Sequence, residues 1–280
     1  MKKDADLHIH TFYSDSTDSP EEVVKSALQE KLSCIAITDH DTLEGIKPTQ
    51  VAAQNSDLEV LSGVELSAEI EKKDIHILGY LVDDGSRVLS NRLKEIQNLR
   101  LNRIKKMIEL LKSLGVDNIR YEEVCQLTQS DSVGRPHLAR VLLQKGWVKT
   151  IKEAFDKYLA EGAPAYVPKF KMTPLDAIEL IRKSGGIPVL AHPMMNNRDE
   201  IIPSLVEAGL LGIEVYYPNC SETVIKYYEE IAKKHNLITT GGSDAHGRSK
   251  ENTFIGKKRI SYEIVEQLKQ AARQLTKNPH

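Results

Sequence analysis

The sequence predicts an α/β fold in which a parallel sheet is wrapped by helices and interrupted by one helical insert. Three observations predict it. Short apolar runs alternate with helical patterns up to about residue 85 and again after about residue 165. The stretch between about 100 and 165 carries helical periodicity and no strong strand. Chemistry-bearing side chains collect where the predicted strands end. Repeated strand–helix units imply right-handed crossovers, so the sheet is either a barrel or doubly wound.

The elements follow in order. Leu7 to Thr11 reads as a strand. Ser19-Pro20-Glu21-Glu22 joins an N-cap serine, a proline at the first helical position and a glutamate that closes a capping box, opening a helix to about Lys31. Cys34 to Thr38 is a buried strand, a short helix follows Asp41, and Leu58 to Glu65 and Ile75 to Val82 are further strands. Arg87 to Leu114 is one long amphipathic helix, with Leu93, Ile96, Ile104, Met107 and Leu111 at helical spacing, ended by Gly115. Tyr121 to Thr128, Pro136 to Lys145 and Ile151 to Ala160 read as short helices of the insert. Thr173-Pro174 opens a helix ending at Gly185-Gly186. Strands Ile187 to Ala191, Gly212 to Tyr217 and Leu237 to Thr240 then alternate with helices over Asp199 to Ala208, Ser221 to His235 and Tyr262 to Leu275.

Composition narrows the function. The 280 residues are 40% hydrophobic and 28% charged, an ordinary globular balance with a sizeable core. A net charge of −2 argues against a broad basic surface for duplex DNA while permitting a local basic pocket. No apolar run reaches the length of a membrane span, and no apolar signal segment follows Lys2-Lys3. Cys34, Cys125 and Cys220 form no paired spacing, which predicts a chain kept in a reducing cytoplasm.

His8 and His10 lie two apart on one strand, so both imidazoles face the same side. Alone, such a pair is equally well read as two solvated histidines. It is not alone. Asp15 follows in a loop, Thr38-Asp39-His40-Asp41 and Gly63-Val64-Glu65 close the next two strands, and His76 lies on the following one. Ala191-His192-Pro193 and Gly242-Ser243-Asp244-Ala245-His246 close later strands. The carboxyl ends of parallel strands form the functional face of such folds. Imidazoles and carboxylates without thiolates suit Zn²⁺, Mn²⁺ or Fe²⁺, and nine ligands suit two or three ions.

Asp6-Leu7-His8-Ile9-His10-Thr11, Thr38-Asp39-His40-Asp41, His192-Pro193 and Ser243-Asp244-Ala245-His246, in this order, resemble the motifs of the PHP (polymerase and histidinol phosphatase) family. The resemblance spans about residues 4 to 250. It implies a distorted seven-stranded β/α barrel in residues 1–99 and 166–280, with residues 100–165 as a helical substrate cap. It implies a first metal on His8, His10, Glu65 and Asp244. Glu65 would bridge to a second on His76 and His192, and Asp15, His40 and His246 would hold a third. Asp6 and Asp39 are expected to orient ligand histidines. Asp244, His192 and His246 are the expected proton-transfer residues.

Gly134-Arg135-Pro136-His137 at a helix start resembles a motif of the branch that hydrolyses nucleoside 3′,5′-bisphosphates and trims short single-stranded RNA from its 5′ end. Arg135 and His137 are therefore expected to hold a second phosphate, the alternative being a helix cap beside a surface arginine. Lys169, Arg198 and Arg248 are further basic residues within reach of phosphate. The alternatives are a histidinol-phosphate phosphatase, against which the helical insert argues, and a polymerase-associated exonuclease module. A metal-dependent amidohydrolase typically has a bridging lysine where Glu65 stands here. A metal-binding protein without turnover is the alternative from another class.

Overall fold

In a computed structural model, residues 3–71, 73–129, 132–168, 172–249 and 253–277 are described. The strands are β1 (Asp4–Ile9), β2 (Cys34–Ile37), β3 (Glu59–Ile70), β4 (Lys73–Tyr80), β5 (Ile187–Leu190), β6 (Gly212–Tyr216), β7 (Ile238–Gly241) and β8 (Ile260–Ser261). They form one sheet in the order β7-β6-β5-β4-β3-β2-β1-β8. Beyond β7 the chain returns to β1 through a parallel bridge between Ile9 and Ala245, where His10 N–H donates to the Ala245 carbonyl at 3.0 Å. The α/β barrel implied by the family motifs is thus the fold, with the two-residue β8 added antiparallel on the outer edge of β1.

The sheet is not wholly parallel. β4 runs antiparallel to both β3 and β5. The link between Ile70 and Lys73 is far too short for a crossover, so β3 and β4 form a hairpin. This reversal decides where His76 lies. An antiparallel strand brings its beginning, rather than its end, to the functional face, and His76 sits near the start of β4 opposite Ser67.

Helices α1 (Pro20–Gln29) and α2 (Ile46–Ala53) cover β1 and β2, burying Val23, Val24, Ala27 and Ile46 against Ile9, Ile35 and Ile37. The predicted capping box of α1 forms, with Ser19 and Glu22 bonding reciprocally. Inside the barrel, Ala5, Leu7, Ala36, Leu78 and Val189 pack with Val265 and Leu268 of the last helix, α10 (Tyr262–Lys277), whose label follows α3 to α9 below.

Helix α3 (Arg87–Ser113) joins two cores. Leu89, Leu93 and Ile96 pack on the barrel with Val64, Ile77 and Ile181. Ile104, Met107 and Leu111 pack instead with Val124, Leu138, Leu142 and Leu159 of the insert. The insert contains α4 (Tyr121–Cys125), α5 (Arg135–Gln144), α6 (Ile151–Ala154) and a π-helical turn over Phe155–Leu159 where a plain helix was expected. Helices α7 (Pro174–Lys183), α8 (Ile202–Glu207) and α9 (Glu222–Lys234) complete the outer layer. The start of the predicted Asp199 helix is a 3₁₀ turn. Among the described residues, no helix is long and apolar enough to cross a membrane.

Candidate metal centre

The nine predicted ligands converge at one end of the barrel. His8 Nε2 lies 3.1 Å from His10 Nε2, and each lies 3.2–3.4 Å from Glu65 Oε2 and Asp244 Oδ1. His76 Nδ1 and His192 Nε2 meet Glu65 Oε1 at 2.8 and 3.0 Å. His246 Nε2 meets Asp15 Oδ1 at 3.1 Å. Ligand atoms of His8, His10, Glu65 and Asp244 all lie within 4.8 Å of one another. So do those of His10, Asp15, His40 and His246, and those of His40, Glu65 and His76.

Glu65 stands at the centre of this arrangement because β3 carries it between β2 and β4. Three of the loops around it turn through a left-handed residue: Asp41 (φ 51°), His192 (φ 27°) and Asp244 (φ 50°). Such backbone is uncommon for residues other than glycine and persists only where neighbours hold it. Here they do. Asp41 N–H donates to the Glu65 carbonyl, and His192 N–H donates to Glu214 Oε2 at 2.8 Å.

The residues fit divalent ions. His8 Nδ1–H donates to the buried Glu214 carboxylate at 2.9 Å, which turns the Nε2 lone pair toward His10, Glu65 and Asp244. Glu65 Oε2, Asp15 Oδ1 and His40 Nδ1 are buried without a hydrogen-bond partner. Electron-pair donors gathered this closely repel unless positive charge lies among them. The side chains show the same demand. Burial opposes protonation of His8, but Glu214, Asp244 and Glu65 outweigh it and hold its pKa well above the ordinary value. His10 is raised to about 9 against the same burial by Asp244 and Glu65. Burial drives His40 down to about 3, against the pull of Glu65 and Asp15. Glu65 stays ionised despite burial because His40, His76 and His8 surround it.

The supporting residues differ in part from the expectation. Among the described residues, Asp6 and Asp39 bond to no imidazole. Asp6 accepts from Ser243 N–H and Gly256 N–H, both at 2.8 Å, and fastens the loop that carries Asp244. Asp39 accepts from Thr11 N–H, the Thr11 hydroxyl and the Ser14 hydroxyl, and fastens the loop that carries Asp15. The orienting carboxylate is Glu214, which the sequence reading missed. An acidic residue inside the apolar run Gly-Ile-Glu-Val-Tyr was its signal. Tyr217 was also missed; its hydroxyl donates to Asp244 Oδ2 at 2.7 Å.

His137 is placed away from any ligand surface. It is fully buried, its Nδ1 accepts from Gly134 N–H at 3.0 Å, and its Nε2–H donates to the Ser14 carbonyl at 2.8 Å. With both nitrogens committed to backbone, it caps α5 and ties the insert to the loop bearing Asp15. Arg135 does face the cleft. Its guanidinium lies 3.9 Å from Asp74 and packs 5.7 Å from the ring centres of Phe155 and Tyr166.

A cavity of about 160 Å³ opens beside His40 and His76, and Arg100, Arg103 and Arg135 all line it. Arg100 pairs with buried Asp41, whereas Arg103 has a buried Nη2 with no partner. Burial, reinforced by Arg135, lowers the Arg103 pKa to about 10. Neither Arg100 nor Arg103 stood out in the sequence, because α3 carries many basic residues. Arg198 pairs with Glu71 and Glu200 at the edge of a neighbouring cleft, Arg248 is exposed, and Lys169 lies outside the described residues.

The PHP domain family model matches residues 6–165. A 3′,5′-nucleoside bisphosphate phosphatase of Chromobacterium violaceum is 30% identical over 90% of this chain and 90% of its own. A 5′-3′ exoribonuclease of Haemophilus influenzae is 32% identical over 88% of this chain and 91% of its own. A crystal structure of a candidate metal-dependent phosphoesterase from Bifidobacterium adolescentis superposes with a TM-score of 0.85, covering 94% of each chain at 29% identity. With its family match, its barrel and its cluster of imidazoles and carboxylates, this chain belongs to the PHP family as a metal-dependent phosphoric ester hydrolase.

Proposed function

We propose that the chain hydrolyses nucleoside 3′,5′-bisphosphates and trims the 5′ ends of short RNA. Two or three Mn²⁺, Fe²⁺ or Zn²⁺ ions would be held by His8, His10, Asp15, His40, Glu65, His76, His192, Asp244 and His246. The arginine-lined cavity beside these ligands carries the reading. A phosphate monoester with a single phosphate has no use for it. A substrate with a second phosphate brings an anion to the unpaired Nη2 of Arg103 and to Arg135, which Asp74 meets only at 3.9 Å. The relatives named for bisphosphate and RNA hydrolysis support the same assignment.

Divalent ions at this centre supply a water of lowered pKa and positive charge for the phosphoryl oxygens. The chain's own groups do the rest. Arg135 and Arg103 bind the second phosphate and so align the reacting one. Tyr217 holds Asp244 Oδ2, which aims Oδ1 at the ligand cluster. His246 Nδ1–H donates to the Asp244 carbonyl at 2.9 Å, so Nε2 is the nitrogen presented toward Asp15. Asp244, His192 and His246 are the groups assigned to move protons between water and leaving oxygen, and His192 keeps a buried Nδ1 with no partner.

A kinetic panel with Mn²⁺ tests this: adenosine 3′,5′-bisphosphate, adenosine monophosphate, a 5′-phosphorylated RNA pentamer and histidinol phosphate. The bisphosphate and the pentamer are expected to be the preferred substrates. Preference for histidinol phosphate, or equal turnover of bisphosphate and monophosphate, would overturn the reading.

A further inference from the structure

Beneath the metal centre, inside the barrel, lie two hydroxyls that the chain itself does not satisfy. Tyr80 and Thr240 are both fully buried. Among the described residues, neither Tyr80 Oη nor Thr240 Oγ1 reaches hydrogen-bond geometry with a partner. Buried hydroxyls left unmet are costly and uncommon in folded chains.

Three strands bring these groups to one level. His76, Leu78 and Tyr80 alternate along β4, and all three face the barrel interior. Because β4 runs antiparallel to its neighbours, Tyr80 lies below His76, toward the end of the barrel covered by α10. On β7, Thr240 stands opposite Glu214 of β6 in parallel register, so the two side chains share the inner face. Leu7, Leu78, Ile187 and Val189 of the surrounding core offer no polar side-chain atom.

Donor and acceptor are both at hand. Burial, and next the Glu214 carboxylate, push the Tyr80 pKa well above its ordinary value, with Thr240 beside it acting the other way. The phenol thus keeps its proton and stays a donor. Glu214 takes His8 Nδ1–H on Oε1 and His192 N–H on Oε2. A carboxylate has room for about four such bonds, so each oxygen has a lone pair left.

We propose that one internal water joins these three groups, accepting from the Tyr80 and Thr240 hydroxyls and donating to Glu214. Three bonds are the usual complement of a buried water. Tyr80 and Thr240 are then positioning residues. They hold Glu214 from below, while Glu214 holds the His8 imidazole and the His192 backbone above. This rests on the metal-ligand set proposed above.

Two near-isosteric variants test it, Tyr80→Phe and Thr240→Val, alone and together. Mn²⁺ affinity is read without substrate, by competition with a chelator. Each single variant is expected to weaken Mn²⁺ binding roughly threefold to tenfold. Since one water serves both hydroxyls, the double variant is expected to lose little more than the worse single one. A crystal structure of the Mn²⁺-loaded protein is expected to show ordered density within hydrogen-bonding distance of Tyr80 Oη, Thr240 Oγ1 and Glu214. Two orphan hydroxyls predict the reverse: urea melts would show each variant stabilised, with Mn²⁺ binding unchanged. That result, losses that simply add, or no density at the site would overturn the proposal. If His10→Ala leaves Mn²⁺ binding unchanged, the ligand set beneath it fails instead.

Discussion

Glu214 is fully buried, and its side-chain oxygens meet the His8 imidazole and the His192 backbone N–H. It therefore acts on two strands at once, setting the tautomer of one ligand and the backbone of another. Glu214→Gln is expected to keep the fold and weaken metal affinity about 10–100-fold, read by competition with a chelator. Arg103→Ala is expected to cost roughly tenfold or more in kcat/KM on a bisphosphate while sparing a monophosphate. An equal loss on both would remove Arg103 from substrate binding. His137 supplies a pH dependence. Burial lowers its pKa to about 4, so the folded chain holds it neutral while the unfolded chain binds a proton below about 6.5. The unfolded state binds more protons in that window, so stability falls as pH drops from about 6.5 to 4, by at most roughly 3 kcal/mol. Urea melts of the protein and His137→Gln at pH 7 and pH 5 should show a smaller pH effect in the variant.

At the scale of elements, the metal face is made by strand ends and by one hairpin. Gly242 lets the end of β7 approach β1. A Cβ there would lie 2.3 Å from the His8 backbone nitrogen. Gly242→Ala is expected to destabilise the fold by about 1–3 kcal/mol, measured by denaturant melts. The ligands were legible in the sequence because polar residues at the ends of buried apolar runs stand out against their surroundings. The antiparallel β4 was not read, because the expected strands ended at Glu65 and began again at Ile75, whereas β3 and β4 run on to Ile70 and start at Lys73, leaving no room for a crossover. Which way a side chain turns was less legible still. His137 and Arg135 are two apart at one helix start, yet one is spent on backbone and the other faces the cleft. Asp6 and Asp39 sit beside ligand motifs but bond to loops, because the orienting role is filled from β6, far along the chain.

For the whole molecule, the chain order of the ligands matters. His8 to His76 come from the first third of the chain, and His192, Asp244 and His246 follow the insert. Helix α3 spans both cores, and Gln97 and Arg100 bind Asp41 beside the ligand His40. Insert and ligand loop are thus tied together through α3, and the insert is expected to lose protection from hydrogen exchange together with the loop carrying His40.

The single bridge from Ile9 to Ala245 is where the two ends of the sheet meet. Among the described residues, every other pair of neighbouring strands in the barrel shares at least two paired residues, so this is the thinnest stave joint of a cask. His8 and His10 stand on one side of it, Asp244 and His246 on the other. Ions shared between them would serve as the hoop, so that loading the active site and closing the barrel become one thermodynamic event. A chelator is then expected to lower the melting temperature and to speed amide exchange first at His10 and Ala245.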